Sequence, residues 1–487
     1  MRTRLTGAAC VLLLAGCSAS EPPAADPTAS GGNSGPLEGQ SETSRGAIGD
    51  LSAYDGAIST PVEDSYYPQV GDPLVDALHY DLALTWDKTT LTGHEELTFR
   101  ATADAGAVQL DLAASLAPTA VSLDGDPVPF DHPGDYLVVN APVAADSRHV
   151  LTLDYAGAPE PVPAPATRKD TETVGLTATP DGRLWTMQEP YGAFTWYAVN
   201  DQPSDKSLYD VTVTAPGDWV GISNGELTSR TSDGSTTTTS WSLDSPAASY
   251  LTTLAVGPYT STTATSSSGV PITSWIPSDD VQAHGDLDQV PEMLDWLEAK
   301  LGPYPFDTLG FVLVDGESGM ETQTMITIGD DDDDLSGEVL VHEMAHQWYG
   351  DLVTPAYWRD LWMNEGMATY LQAVWQDEAW GLEPGDTLRD FRRPERRSRK
   401  KDGPPGAYDP GRFAAINVYY GPALMWQRLR AMLGDEVFWR LVRDWPAARA
   451  GRSTTREDYL GWINQQTGQD LTAFFDAWLM SPTTPKS

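Results

Sequence analysis

The sequence predicts a multidomain chain in which an all-β domain is followed by a mainly helical one, and three observations carry that reading. At 487 residues the chain is too long for one ordinary domain. After position 61 apolar side chains alternate, as in Tyr80, Leu82, Leu84 and Trp86 and again in Leu97, Phe99 and Ala101, with Gly, Asp and Pro between the runs. Further on the period becomes that of a helix face: Met293, Leu294, Leu297 and Leu301, closed by Gly302 and Pro303.

The chain opens with Arg2 and Arg4 and an apolar stretch from Leu5 to Ala15, too short to cross a bilayer as a mature helix and suited to an export leader. It closes on Leu14-Ala15-Gly16-Cys17, which resembles the lipobox of bacterial lipoproteins. Residues 1–17 are therefore expected to be a lipoprotein signal peptide with Cys17 as the lipidation site, and the protein an outward-facing lipoprotein of a bacterial cell membrane. A freely secreted product, cut at a nearby small residue, is the alternative. From Ser18 to about Pro61 the residues are mostly Ser, Gly, Ala, Pro and Glu, which bury no core, so 18–61 reads as a disordered tether.

Strand-like runs then recur up to Tyr250–Val256, and Gly257-Pro258 with the Ser/Thr-rich stretch to Ser268 marks a junction near residue 260. This divides the rest into a β domain over 62–260 and a helical domain over 261–487. Within the second, Phe311 to Val314 reads as a buried strand, and helices are expected around 337–350, 364–380, 422–433 and 468–479. No segment after the leader has the apolar length of a membrane span, so membrane contact is expected through the N-terminal lipid only.

Composition narrows the partners. Seventy acidic against 30 basic residues give a net charge of −40, which repels a phosphate backbone and argues against nucleic acid. The two cysteines, Cys10 and Cys17, both lie in the leader, so the folded body is expected to hold no internal disulfide.

The chemistry is concentrated in His342-Glu343-Met344-Ala345-His346, whose i, i+4 histidines face the same side of a helix at a distance suited to one ion, the signature of a zinc site. Two imidazoles leave catalytic zinc short of a protein ligand, and Glu365, in Trp362-Met363-Asn364-Glu365-Gly366 at the start of a second helix, is the candidate third. One zinc per chain with an open position for water follows. His79, His94, His132, His149 and His284 have no partner at metal spacing.

The run His342 to Asp351 (HEMAHQWYGD) together with Asn364-Glu365-Gly366 resembles the aminopeptidase N family of zinc metallopeptidases, the gluzincins. The resemblance implies a saddle-like β domain, a thermolysin-like catalytic domain, and peptide substrates with a free N-terminus. It extends to Ser318-Gly319-Met320-Glu321-Thr322, similar to the family's Gly-x-Met-Glu-Asn segment, with Gly319 and Met320 as substrate-binding positions and Glu321 as the carboxylate that binds the α-ammonium. In the β domain, Gln188-Glu189-Pro190 resembles the segment that adds a second acidic group; Glu189 fits it, with Gln188 the nearest substitute. Val418-Tyr419-Tyr420-Gly421-Pro422 resembles the stretch in which a tyrosine just before a helix start faces the zinc, which makes Tyr419 the oxyanion donor and Tyr420 a packing residue. Glu343 would serve as general base. Ser318, Thr322 and Gly421-Pro422 depart from the family pattern, and the chain stops soon after Phe474 to Leu479, where larger members continue into a long helical domain, so a more open site is expected.

Two readings compete. A zinc endopeptidase of thermolysin type has no need of paired amine-binding glutamates, which speaks for Glu321 and Glu189 as marks of an exopeptidase. A non-catalytic, surface-displayed binding lipoprotein predicts a broken ligand or base, whereas His342, Glu343, His346 and Glu365 are all present. The acidic run Asp330 to Asp334 reads as a solvated loop ahead of a helix rather than a calcium site, and the basic island from Arg389 to Lys401 as a solvated helix face.

Overall fold

The computed structural model describes residues 51–166, 172–279, 286–316, 318–330 and 334–485. In the strand Val75–Trp86, Leu82, Leu84 and Trp86 are buried while Asp81, Ala83 and Thr85 are exposed, the alternation a half-solvated sheet requires. This strand is central to an eight-stranded sheet that runs, in spatial order, through 226–232, 236–248, 206–216, 75–86, 91–101, 148–157, 116–123 and 126–127. Only 75–86 and 206–216 pair in parallel; the other neighbours are antiparallel. A five-stranded sheet (220–223, 254–257, 184–187, 173–178, 162–163) belongs to the same domain, whose core centres on the fully buried Trp196 and on Tyr80 stacked against Tyr209 at 5.1 Å.

The pairing changes at Gly257-Pro258. Strand 259–265 joins 271–277, and 271–277, 309–314 and 325–329 run parallel, with the two-residue strand Gly319–Met320 closing one edge antiparallel to 325–329. Eight α-helices among the described residues complete this second domain: α1 (Val290–Leu301), α2 (Gly337–His346), α3 (Asn364–Ala379), α4 (Asp386–Asp402), α5 (Ile416–Leu433), α6 (Asp435–Arg449), α7 (Arg456–Thr467) and α8 (Thr472–Leu479). Their shared core includes Trp362, Trp426, Tyr459 and Phe475. None of these helices is long and apolar enough to cross a membrane.

Three differences from the sequence reading have local causes. Residues 51–61, which composition assigns to the tether, belong to the packed body. Leu51–Ala57 forms a 3-10 helix, Arg148 Nη1 donates to Leu51 O at 2.6 Å, and Ser59 N donates to Asp76 Oδ1 at 2.9 Å. These contacts are polar, so hydrophobicity does not signal them. Cys17 and residues 18–50 lie outside the described residues. Helix α5 begins at Ile416 rather than near Pro422, and the internal proline is accommodated where Gly366 of α3 lies against it: a Cβ on Gly366 would overlap the proline ring. Tyr419 therefore sits in the first turn of the helix, not ahead of it. Helices α6 and α7, not anticipated from the pattern, fill the span between α5 and α8.

Buried polar groups fasten the β domain to the helical one. Lys206 Nζ donates to the carbonyl oxygen of Asp351 at 2.5 Å, Asn224 Nδ2 to that of Gln323 at 2.6 Å, and the hydroxyls of Thr253 and Thr327 meet at 2.8 Å. Such groups, cut off from water, lose heavily if their partners are removed.

Glu95 shows the cost of burying charge in the β domain. It is 1% exposed, its Oε2 accepts from the Ala198 amide at 2.9 Å, and burial pushes its carboxyl up to about 8. An unfolded glutamate releases its proton near 4.5, so between that pH and about 8 the folded chain holds the extra proton and stability falls as pH rises. In Glu95→Gln this loss, on the order of a few kcal/mol, disappears. The melting temperature of the variant should therefore decline less than that of the parent from pH 5 to pH 8.5, and parallel declines would contradict the assignment.

Candidate active site

Helices α2 and α3 bring three electron-pair donors to one point. One turn apart on α2, the His342 and His346 rings have centroids 4.8 Å apart. Glu365, in the first turn of α3, places Oε2 3.2 Å from His342 Nε2 and 3.5 Å from His346 Nε2. The far ring nitrogens are committed elsewhere: His342 Nδ1 donates to Gln372 Oε1 at 3.1 Å and His346 Nδ1 to the Tyr349 carbonyl at 3.0 Å. Both partners only accept, so each Nδ1 carries the proton and each Nε2 turns a lone pair toward the carboxylate. Two imidazole lone pairs and an ionised carboxylate within 4.8 Å of one another repel unless a cation joins them, and nitrogen and oxygen donors of this kind suit zinc.

The general-base candidate lies beside this set. Glu343 is 7% exposed, and burial, reinforced by Glu321 and Glu365 and partly offset by His346, pushes its carboxyl up to about 8. Gly319 makes room for it, because a Cβ on that residue would overlap Glu343 Oε1. The same edge strand leads into Glu321, whose carboxylate lies within 4.8 Å of ligand atoms of both Glu343 and His346.

Glu189 reaches the site from the β domain, following strand Leu184–Met187, and its carboxylate lies within 4.8 Å of those of Glu321 and Glu365. Gln188 is fully buried and turned away: its Nε2 donates to the carbonyls of Ser249 and Thr252, and its Oε1 accepts from Trp196 Nε1. The Tyr419 ring lies 6.2 Å from that of His342 at an interplanar angle of 28°, while Tyr420 stacks on Phe391 at 4.0 Å. Apart from Cys17, every site residue named from the sequence borders one cavity of about 720 Å³. Asp334 of the acidic run borders it too; residues 331–333 lie outside the described residues.

Sequence reasoning missed Gln372 and the Tyr349 carbonyl. Gln372 falls seven residues after Glu365, two helical turns along the same face of α3, and that spacing is the signal that could have found it.

Fold and cluster together define the class: a β domain followed by a helical domain that offers a divalent metal two imidazoles from one helix and a carboxylate from the next. The "Peptidase M1 N-terminal domain" family model matches residues 76–251 and the "Peptidase family M1 domain" model residues 286–478; the chain belongs to peptidase family M1. Aminopeptidase N of Streptomyces lividans is 30% identical over 330 residues, covering 61% of this chain and 38% of its own. Human glutamyl aminopeptidase is 25% identical over 65% of this chain and 36% of its own. The chain thus spans under two fifths of the length of these two relatives. Among solved structures, an M1 zinc metallopeptidase from Deinococcus radiodurans is similar over 88% of this chain and 98% of that one, with 26% identity and a TM-score of 0.77. A mutant of it has been solved bound to a Tyr-Ser-Ala substrate.

Gln372→Leu removes the acceptor that holds His342 in its metal-binding tautomer without touching a ligand atom. Zinc affinity, measured by competition with a chromophoric chelator, should fall roughly 10- to 100-fold. Unchanged affinity would mean the His342 ring is oriented by something else.

Proposed function

We propose that the protein is a zinc aminopeptidase that removes residues one at a time from peptides with a free N-terminus. The observation that carries this reading is the surplus of negative charge beside the metal donors. His342, His346 and Glu365 are the donor set for one zinc per chain, and Glu189 and Glu321 add two carboxylates within 4.8 Å of Glu365, an acidic cluster that attracts a further cation. A peptide supplies one as its α-ammonium, and a charge-assisted pair with both carboxylates forms only at a chain terminus. The names of the Streptomyces and human relatives agree with this reading, as does the tripeptide bound to the Deinococcus mutant.

When bound, zinc supplies Lewis acidity that polarises the scissile carbonyl and lowers the pKa of water in the site. Glu343 accepts the proton of the attacking water and returns it to the leaving amine, a shuttle suited to a carboxyl raised toward neutrality. The Tyr419 hydroxyl donates to the oxyanion. Glu189 and Glu321 fix the amine so that only the first peptide bond reaches the reacting groups. Export as a lipoprotein, with Cys17 lipidated and the catalytic body held outside the membrane, is part of the proposal and rests on the leader sequence. Labelling with a fatty-acid analogue, abolished in Cys17→Ser, tests it.

The test of activity is hydrolysis of free and N-acetylated peptides by residues 18–487, with and without chelator. Free substrates should be cleaved and acetylated ones spared. Glu343→Gln should lower kcat roughly 100- to 10,000-fold, and Tyr419→Phe about 100- to 1000-fold. Cleavage of acetylated peptides would instead establish a thermolysin-type endopeptidase, and inactivity of the zinc-loaded chain a binding protein.

A further inference from the structure

Resting on the aminopeptidase reading, we propose that the cavity continues as a groove along α3 that ends on an aromatic platform, Trp380 with Leu382, which recognises an apolar side chain about six residues beyond the scissile bond. Glu365, Thr369, Gln372, Gln376 and Trp380 all line the cavity. Their spacing of four, three, four and four residues keeps them on one face of α3 and its C-terminal end. At 1.5 Å per residue this row extends roughly 20 Å from the metal donors. The row stays buried or half-buried as far as Gln376, 8% exposed, and opens at Trp380, 57% exposed, so its far end faces outward. Leu382, 41% exposed, adds a second uncovered apolar side chain to the same cavity wall.

The occupant follows from the cavity itself. Glu189 and Glu321 take the substrate amine at the end supplied by the β domain and the edge strand, so the rest of the peptide must leave the metal in another direction, and α3 provides a continuous wall. An extended chain rises about 3.4 Å per residue, so roughly six residues span the row. Gln376, about three quarters of the way along the row, borders the cavity with an amide suited to meet the peptide backbone. Asp386 and Asp390 of α4 line the same cavity, and no lysine or arginine does so among the described residues, so an acidic side chain is disfavoured there.

The experiment is a series of Leu-Ala peptides with a single Phe moved through positions 4 to 9 on an otherwise Ala background, with Glu at the same positions in a parallel set. Released leucine is measured against that from leucyl-alanine amide, which is too short to reach the platform. Phe near position 7 should raise kcat/KM about tenfold over Ala, chiefly through KM, and Glu should lower it. In Trp380→Ala the Phe advantage should vanish, and in Trp380→Phe most of it should return. Position-independent rates, or an advantage that survives Trp380→Ala, would overturn the groove. If leucyl-alanine amide is not cleaved, the aminopeptidase reading has failed. The groove is then read separately from binding of C-terminally labelled Phe-7 and Ala-7 peptides to zinc-loaded Glu343→Gln and Glu343→Gln/Trp380→Ala, by fluorescence anisotropy. A Phe advantage lost with Trp380 supports the groove, and equal binding of both peptides refutes it.

Discussion

Two hydrogen bonds made on the far side of the metal donors organise the site. By accepting from Nδ1 of His342 and His346, Gln372 and the Tyr349 carbonyl leave both Nε2 atoms as lone-pair donors aimed at Glu365. Neither acceptor touches the metal position, yet without them the imidazoles could rotate or exchange tautomers and the convergence would be lost. Tyr349 is itself anchored, its hydroxyl donating to the Val442 carbonyl of α6 at 2.6 Å. An element with no side chain in the cavity thereby helps set the metal geometry.

The β domain also takes part in the site. It contributes Glu189, and the seam that joins it to the helical domain sets buried hydrogen bonds among apolar clusters such as Met187, Tyr250 and Leu251 against Trp358 and Phe413. Lys206, Asn224 and Thr253 reach across to carbonyls and a hydroxyl of the other domain. Hydrogen bonds of this kind are directional, so they hold one orientation where an apolar interface would tolerate sliding. The place of Glu189 beside Glu321 depends on that orientation, because the two carboxylates come from different domains.

Much of the site was legible because its chemistry is written in short segments. The i, i+4 histidines and the glutamate at the head of the next helix define a metal set before any coordinates exist, and Gly319-Met320-Glu321 lies on the edge strand beside them. The strand period also separated the two domains, since alternation such as that from Tyr80 to Trp86 requires a half-solvated sheet. Contacts made only by packing were not legible. Gln372 serves His342 because α2 and α3 lie together, and its spacing of two turns from Glu365 hints at a shared face without naming the histidine it meets. Pro422 suggested a helix start, but Gly366 on a neighbouring helix lets α5 run through it. Residues 51–61 looked like tether because few of them are large and apolar, and hydrogen bonds share their attachment with the small buried Ala57 and the stacking of Tyr54 on His79. Helix α7 was readable in principle, since Thr455 and Asp458 form a capping box at its start.

The absent side chain of Gly319 has a wider consequence. Because the backbone there lies where a methyl group would strike Glu343, the segment that leads into Glu321 and the Glu343 carboxylate share one wall. On the proposed reading, recognition of the chain end and cleavage of the bond next to it would form a single mechanical unit, so a ligand that seats its amine poorly would also disturb the base.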